Sequence, residues 1–191
     1  MKFFLDGHNL IINDVPWKPS YLFPNAVLSP DDIENVINGY LSPSIKTKAG
    51  EILIFDYSKN ESMILENYAK ENEIALIDYV DVWSLILEEF LDTEIDEEAN
   101  NRIFSILAQC RIEKEETQKI RLELKEMMLD YNFASGLWEW ANLGMNDLLN
   151  ACKGTLNRNI RMTSEYFEKY YWEVMRIQEL GRNKRLTIAS T

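Results

Sequence analysis

The chain has 191 residues, a size that buries a substantial core, and residues 1–191 read as one domain. Hydrophobic residues at 46% and charged residues at 27% exclude a disordered tail, a collagen or a disulfide scaffold, and seven glycines with five prolines disfavour an all-β sandwich. Acids outnumber bases 32 to 20, and the resulting charge of −12 repels a phosphate backbone, so no nucleic-acid partner is expected.

Residues 2–5 and 10–13 are β-rich runs on either side of Asp6-Gly7-His8-Asn9, which predicts a hairpin. Pro16 to Pro30 holds four of the five prolines together with Trp17, Tyr21 and Phe23, and predicts an ordered surface loop. Ser29-Pro30-Asp31-Asp32 carries the marks of a helix start, with Asn38-Gly39 as its end. Glu51–Asp56 and Ile74–Val80 read as strands, with a helix over Glu61–Glu71 between them.

Beyond residue 80 the period becomes helical. Ile95, Ala99, Ile103, Ile106 and Cys110 form one stripe, preceded by Thr93 and Asp96 as a capping box. Ile120, Leu124, Met127, Met128 and Tyr131 form a second. Leu137, Trp138, Trp140, Ala141, Leu148 and Cys152 follow, interrupted at Gly144. A last helix spans about Thr163 to Leu180, with Tyr166, Tyr170, Val174 and Ile177 on one face. The expected fold is α+β: a small β-containing N-terminal half, then about five helices. A small parallel sheet of α/β type is the second choice.

The apolar run at Phe3–Leu5 stops at Asp6, short of the ~7–15 residues of a secretory segment or the ~20 of a membrane span. Cys110 and Cys152 are not spaced as a metal pair or redox motif and read as buried thiols. A soluble cytoplasmic protein without a membrane partner is expected.

Charge is unevenly placed. Residues 157–191 hold seven bases and four acids, which leaves 13 bases and 28 acids in the first 156. No Lys or Arg lies between Lys70 and Arg102, while eleven acids do, among them Asp78, Asp81, Glu88, Glu89, Asp92, Glu94, Asp96, Glu97 and Glu98. These nine are the candidate partner-binding residues, because concentrated like charge speeds capture of a basic protein by roughly 10–1000-fold. On a helix over Val82–Leu91, Asp81, Glu88 and Asp92 share an exposed stripe, with Glu89 and Glu94 beside it. Trp83 and Phe90, interleaved with the acids, suit either a core or an interface. The alternative reading is a solvated surface that serves solubility.

His8 is the single histidine, which excludes a two-histidine metal site, and no Walker loop, dinucleotide fingerprint or nucleophile elbow occurs. No cofactor, resident metal or catalytic residue is expected. Three bases in Gly181-Arg182-Asn183-Lys184-Arg185 are too few for a nucleic-acid tail.

Two resemblances follow from these residues. Phe4-Leu5-Asp6-Gly7-His8-Asn9-Leu10-Ile11 looks like the first-strand motif of PIN/NYN-type nucleases. That likeness implies a divalent metal held by Asp6 and Asp56, with Asp78, Asp81 or Asp96 completing the set. In overall character (small, acidic, without cofactor motifs) the chain resembles bacterial immunity proteins that neutralise contact-dependent growth-inhibition toxins. This second likeness implies a basic cognate toxin as partner, bound by residues 71–101 and Trp138-Glu139-Trp140. Phage-borne nuclease inhibitors share the same character.

Overall fold

A computed structural model describes residues 1–38, 42–91, 96–135, 142–156 and 160–182. The fold is α+β, with the strands before residue 80 and most of the helix after it. Contacts group the chain into two compact units, Met1–Val80 and Asp81–Thr191.

In the first unit, β1 (Lys2–Asp6) and β2 (Asn9–Asn13) form the expected antiparallel hairpin, in register from Lys2↔Asn13 to Asp6↔Asn9. Gly7 opens the two-residue turn at φ +59°, a conformation that costs glycine little and that the first central position of a II′ turn requires. A third strand, β3 (Ala26–Leu28), pairs with β2 inside the segment expected as loop. Nor is that segment all surface: Trp17 is buried, and the backbone around it is satisfied by bonds such as Val15 N–H to Pro24 O at 2.9 Å.

The helix expected after Ser29 does not form. Ser29 Oγ–H and N–H both donate to Asp32 Oδ2, at 2.6 and 2.8 Å, and the hydroxyl bond holds the Asp32 carboxyl below its ordinary range. The cap closes one 3₁₀ turn, Pro30–Asp32, and the chain then extends into β4 (Ile33–Asn38). Ile33, Val36 and Ile37 are β-branched, and β4 finds neighbours on both sides. It pairs antiparallel with β5 (Ser44–Thr47) and parallel with β7 (Ala75–Asp78), while β6 (Ile52–Ile54) adds to β5. The sheet order is β6-β5-β4-β7. Asn35, Val36 and Ile37 are all buried, so this central strand lacks the alternation that would have marked it.

Between β6 and β7 runs α1 (Lys59–Glu71), capped by Ser58 Oγ, which accepts from Glu61 N–H at 3.4 Å. Its Tyr68 hydroxyl donates to the His8 carbonyl at 3.0 Å, tying the helix to the first hairpin. Burial pushes the Tyr68 phenol up, with a smaller push from Asp32.

The second unit contains α2 (Val82–Leu87), a 3₁₀ turn at Glu88–Phe90, α3 (Glu97–Gln109), α4 (Lys114–Ser135), α5 (Met145–Lys153) and α6 (Ser164–Glu179). Its core gathers Trp83, Ile86, Leu107, Met128, Leu148, Cys152, Tyr171 and Val174, all fully buried. The Trp83 indole donates to Val174 O at 3.0 Å, and the Trp83 N–H donates to Gln178 Oε1 at 3.3 Å. Gly144 precedes α5, its N–H bonded to Asp147 Oδ2 at 2.9 Å, and Gly154 ends the helix at φ +72°.

Two helical stripes match the expected ones in part: Ile103, Cys110, Val174 and Ile177 are buried as expected, and the other positions fall to neighbouring residues. In α3, Ile103, Phe104, Leu107 and Cys110 are buried, while Ala99 is exposed and Ile106 intermediate. In α6, Phe167, Tyr171, Val174 and Gln178 face the core, Tyr166 is exposed, and Tyr170 and Trp172 are intermediate. Ile95 and the stretch 137–141 lie outside the described residues. Both cysteines are free and buried, and no described helix is long and apolar enough to cross a membrane.

Candidate functional site

The nine candidate acids divide between the units, and Asp81, Glu89 and Asp96 have local partners. Asp78 ends β7 in the first unit and is exposed. Asp81 is not part of an exposed stripe: its carboxylate caps α2, accepting from Ser84 N–H at 3.1 Å. Burial pushes this carboxyl up to about 6, the Ser84 bond opposes the shift, and the nearby Asp147 charge adds to it. Asp96, rather than Thr93, caps α3 and accepts from Ala99 N–H at 2.7 Å. Glu97 and Glu98 occupy the first turn of α3, exposed, where the positive end of the helix dipole favours them. Glu88 is half-buried, and Glu89 is exposed and bound to Arg121. Asp92, Glu94 and Trp138-Glu139-Trp140 lie outside the described residues.

Asp6 and Asp56 are not brought together. Asp6 closes the hairpin turn opposite Asn9, where a PIN/NYN nuclease needs a strand-to-helix connection. Asp56 pairs with the Met1 ammonium at 3.2 Å, at the other end of β1. Five strand residues at about 3.3 Å each separate those ends by roughly 16 Å. One cation with oxygens at about 2.0–2.6 Å does not span that distance. The proposed completing acids Asp81 and Asp96 are committed to helix caps. Among the described residues, no group of three or more His, Cys, Asp or Glu side chains is placed to hold a metal. His8 is exposed in the turn.

A groove of about 590 Å³ lies in the second unit between α3 and α4. It is lined by Glu89, Asn100, Phe104, Gln118, Arg121, Leu122 and Lys125. At its base the Arg121 side chain is only 4% exposed, against 54% for Glu89, and the two meet at 2.9 Å. Arg121 Nε–H donates to Ile86 O at 2.9 Å, Nη2–H to Leu85 O at 3.3 Å and Nη1–H to Asn100 Oδ1 at 3.3 Å. Its guanidinium stands 5.2 Å from the Phe104 ring centre, with the Lys114 ammonium also over that ring at 5.0 Å. Burial draws the Arg121 pKa down, and the charges of Glu89 and Glu88 with the Glu89 hydrogen bond hold it up.

Sequence reasoning missed Arg121. The signal was its spacing: Thr117, Arg121, Leu124 and Met128 recur at helical intervals, so an arginine stands on the buried face of α4. Such a residue must find acceptors, because an unpaired buried charge is far too costly.

A second buried polar group joins Asp81, Asp147 and Tyr131. The Tyr131 hydroxyl donates to Asp147 Oδ1 at 3.2 Å. Burial pushes the Asp147 carboxyl up and the phenol up to about 12. Each carboxylate also stabilises a helix N-terminus, so the cluster is accounted for by capping.

No protein-family profile, curated protein or solved structure matches this chain. Function therefore rests on the residues and their placement.

Proposed function

We propose that this chain is an acidic inhibitor that works by direct protein binding, in the manner of an immunity protein that neutralises a basic, nuclease-like toxin. The observation that supports it is the stretch 71–101, in which eleven acids occur without a single Lys or Arg. Within it Glu97 and Glu98 stand exposed at the start of α3. Concentrated like charge destabilises a fold by self-repulsion but raises the rate at which a basic surface is captured. Because Asp81 and Asp96 serve as caps and Glu89 holds Arg121, the centre of the surface moves to Glu97 and Glu98. A cytoplasmic setting belongs to the same reading, since two free, buried thiols suit a reducing compartment.

The test is stopped-flow association with the basic product of the neighbouring reading frame, at two ionic strengths. Wild type should associate fast and lose rate with salt, and Glu97→Lys with Glu98→Lys should slow it at least fivefold, with a melting temperature lower by only a few degrees, since each charge at a helix N-terminus is worth about 0.3–1 kcal/mol. Equal rates for the two proteins, or no association at all, would overturn the reading.

A further inference from the structure

The α3–α4 groove runs against the charge of the chain that contains it. In a protein of net charge −12, its lining holds two cations, Arg121 and Lys125, and one acid, Glu89. The acid is already engaged with Arg121. Arginine offers five N–H donors. The acceptors Ile86 O, Leu85 O, Asn100 Oδ1 and Glu89 Oε2 leave one of them, on Nη2, unanswered among the described residues.

Lys125 is exposed and makes no ion pair or hydrogen bond among the described residues, and the Gln118 amide makes none either. Beside these polar groups lie the Phe104 ring and Leu122, the latter 75% exposed. The groove thus combines two cations, two primary amides and an apolar wall. A basic group entering it would meet Lys125 and would find Glu89 already held by Arg121, and a neutral apolar group would desolvate Lys125 without compensation.

We propose that this groove binds an organic carboxylate that carries an apolar group. Its carboxylate pairs with Lys125 and accepts the spare Arg121 Nη2–H, its polar atoms meet Gln118 and Asn100, and its apolar part covers Phe104 and Leu122. Lys125 supplies the exposed point charge, while Arg121, its own charge balanced by Glu89, offers the one Nη2–H that no described acceptor takes. The site does not depend on the inhibitor reading, because it takes a ligand of opposite charge to the proposed partner.

The full chain, labelled with ¹⁵N and ¹³C, would be titrated with N-acetyl-leucine. The readouts are the Arg121 Nε–H and Leu122 methyl resonances. Saturable shifts of both are expected, absent with N-acetyl-leucinamide, which lacks the charge, and confined to weaker effects with inorganic phosphate, which lacks the apolar group. Lys125→Gln, at an exposed position, should weaken binding at least fivefold with the remaining spectrum unchanged. Binding of the amide as tight as the acid, equal binding of phosphate, unsaturable shifts, or undiminished binding by Lys125→Gln would each overturn the proposal.

Discussion

Arg121 and Glu89 form an ion pair at 2.9 Å whose two ends live in different solvents, the arginine nearly buried and the glutamate half exposed. The asymmetry predicts unequal mutational costs. Removing Arg121 leaves the Ile86 and Leu85 carbonyls without their donor, whereas removing Glu89 leaves a buried cation still bonded to two carbonyls. Arg121→Ala should destabilise by roughly 2–4 kcal/mol and Glu89→Gln by about 1 kcal/mol. Arg121→Lys should not restore the loss, since one ammonium cannot reach acceptors spread around a planar fork. Urea midpoints measure all three, and equal costs for Arg121→Ala and Glu89→Gln would contradict the asymmetry.

Asp81 makes folding stability depend on pH. Its carboxyl sits at about 6 in the folded chain against 3.8 for a free one, chiefly through burial. The protonated form is therefore the one the fold prefers. This contribution is fully present below about pH 3.8 and is lost as pH rises through about 6. Asn caps helices as well as Asp, so Asp81→Asn should keep the Ser84 bond and shed the charge. The variant should match wild type near pH 4 and exceed it by about 1–3 kcal/mol at pH 8. Thermal unfolding at the two pH values distinguishes this from an exposed aspartate, for which the two curves would run in parallel.

Much of the fold was legible because its local signals and its tertiary setting agree. Gly7 marks the hairpin, and the change to a helical period beyond residue 80 marks the helices of the second unit. One failure is a local signal overruled by partners distant in sequence. Ser29 and Asp32 do form their cap, yet β4 is drawn into extension by β5 and β7 on either side. A strand buried on both faces shows no alternation, so nothing in Ile33–Asn38 contradicted a helix. At the candidate site, acids could be counted but not sorted. Whether Asp81 faces water or caps a helix depends on its neighbours, not on its seven-residue spacing from Glu88.

Trp83 tests the core of the second unit. Its indole N–H reaches Val174 O at 3.0 Å in α6, and its backbone N–H reaches Gln178 of the same helix. Trp83→Phe keeps most of the apolar volume but leaves the Val174 carbonyl without that donor and opens a small cavity. A loss of about 1–3 kcal/mol is expected. Truncation before Ser164 removes both acceptors together with Tyr171 and Val174, and should abolish cooperative unfolding of the second unit. The Trp83 indole resonance of the truncated chain would keep a cooperative melting transition only if that core were independent of α6.

The aromatic face of α6 gives the sharpest comparison, because two tyrosines five positions apart have opposite surroundings. Tyr171 is fully buried and in edge contact with Phe167 and Trp172, while Tyr166 is 56% exposed and stacks on Tyr170 at 6.2 Å. Five residues turn an α-helix by about 500°, so the two side chains point roughly 140° apart. Tyr171→Ala removes a core ring and should cost about 3–5 kcal/mol, in line with large aromatic truncations. Tyr166→Ala loses one exposed stacking contact and should cost less than about 1 kcal/mol. Burial also pushes the Tyr170 phenol up, so Tyr170 should stay protonated in an alkaline titration after an exposed tyrosine has ionised. Urea unfolding of the two alanine variants separates the alternatives. A larger loss at Tyr166 than at Tyr171 would mean the core face of α6 is the one that carries Tyr166 and Tyr170.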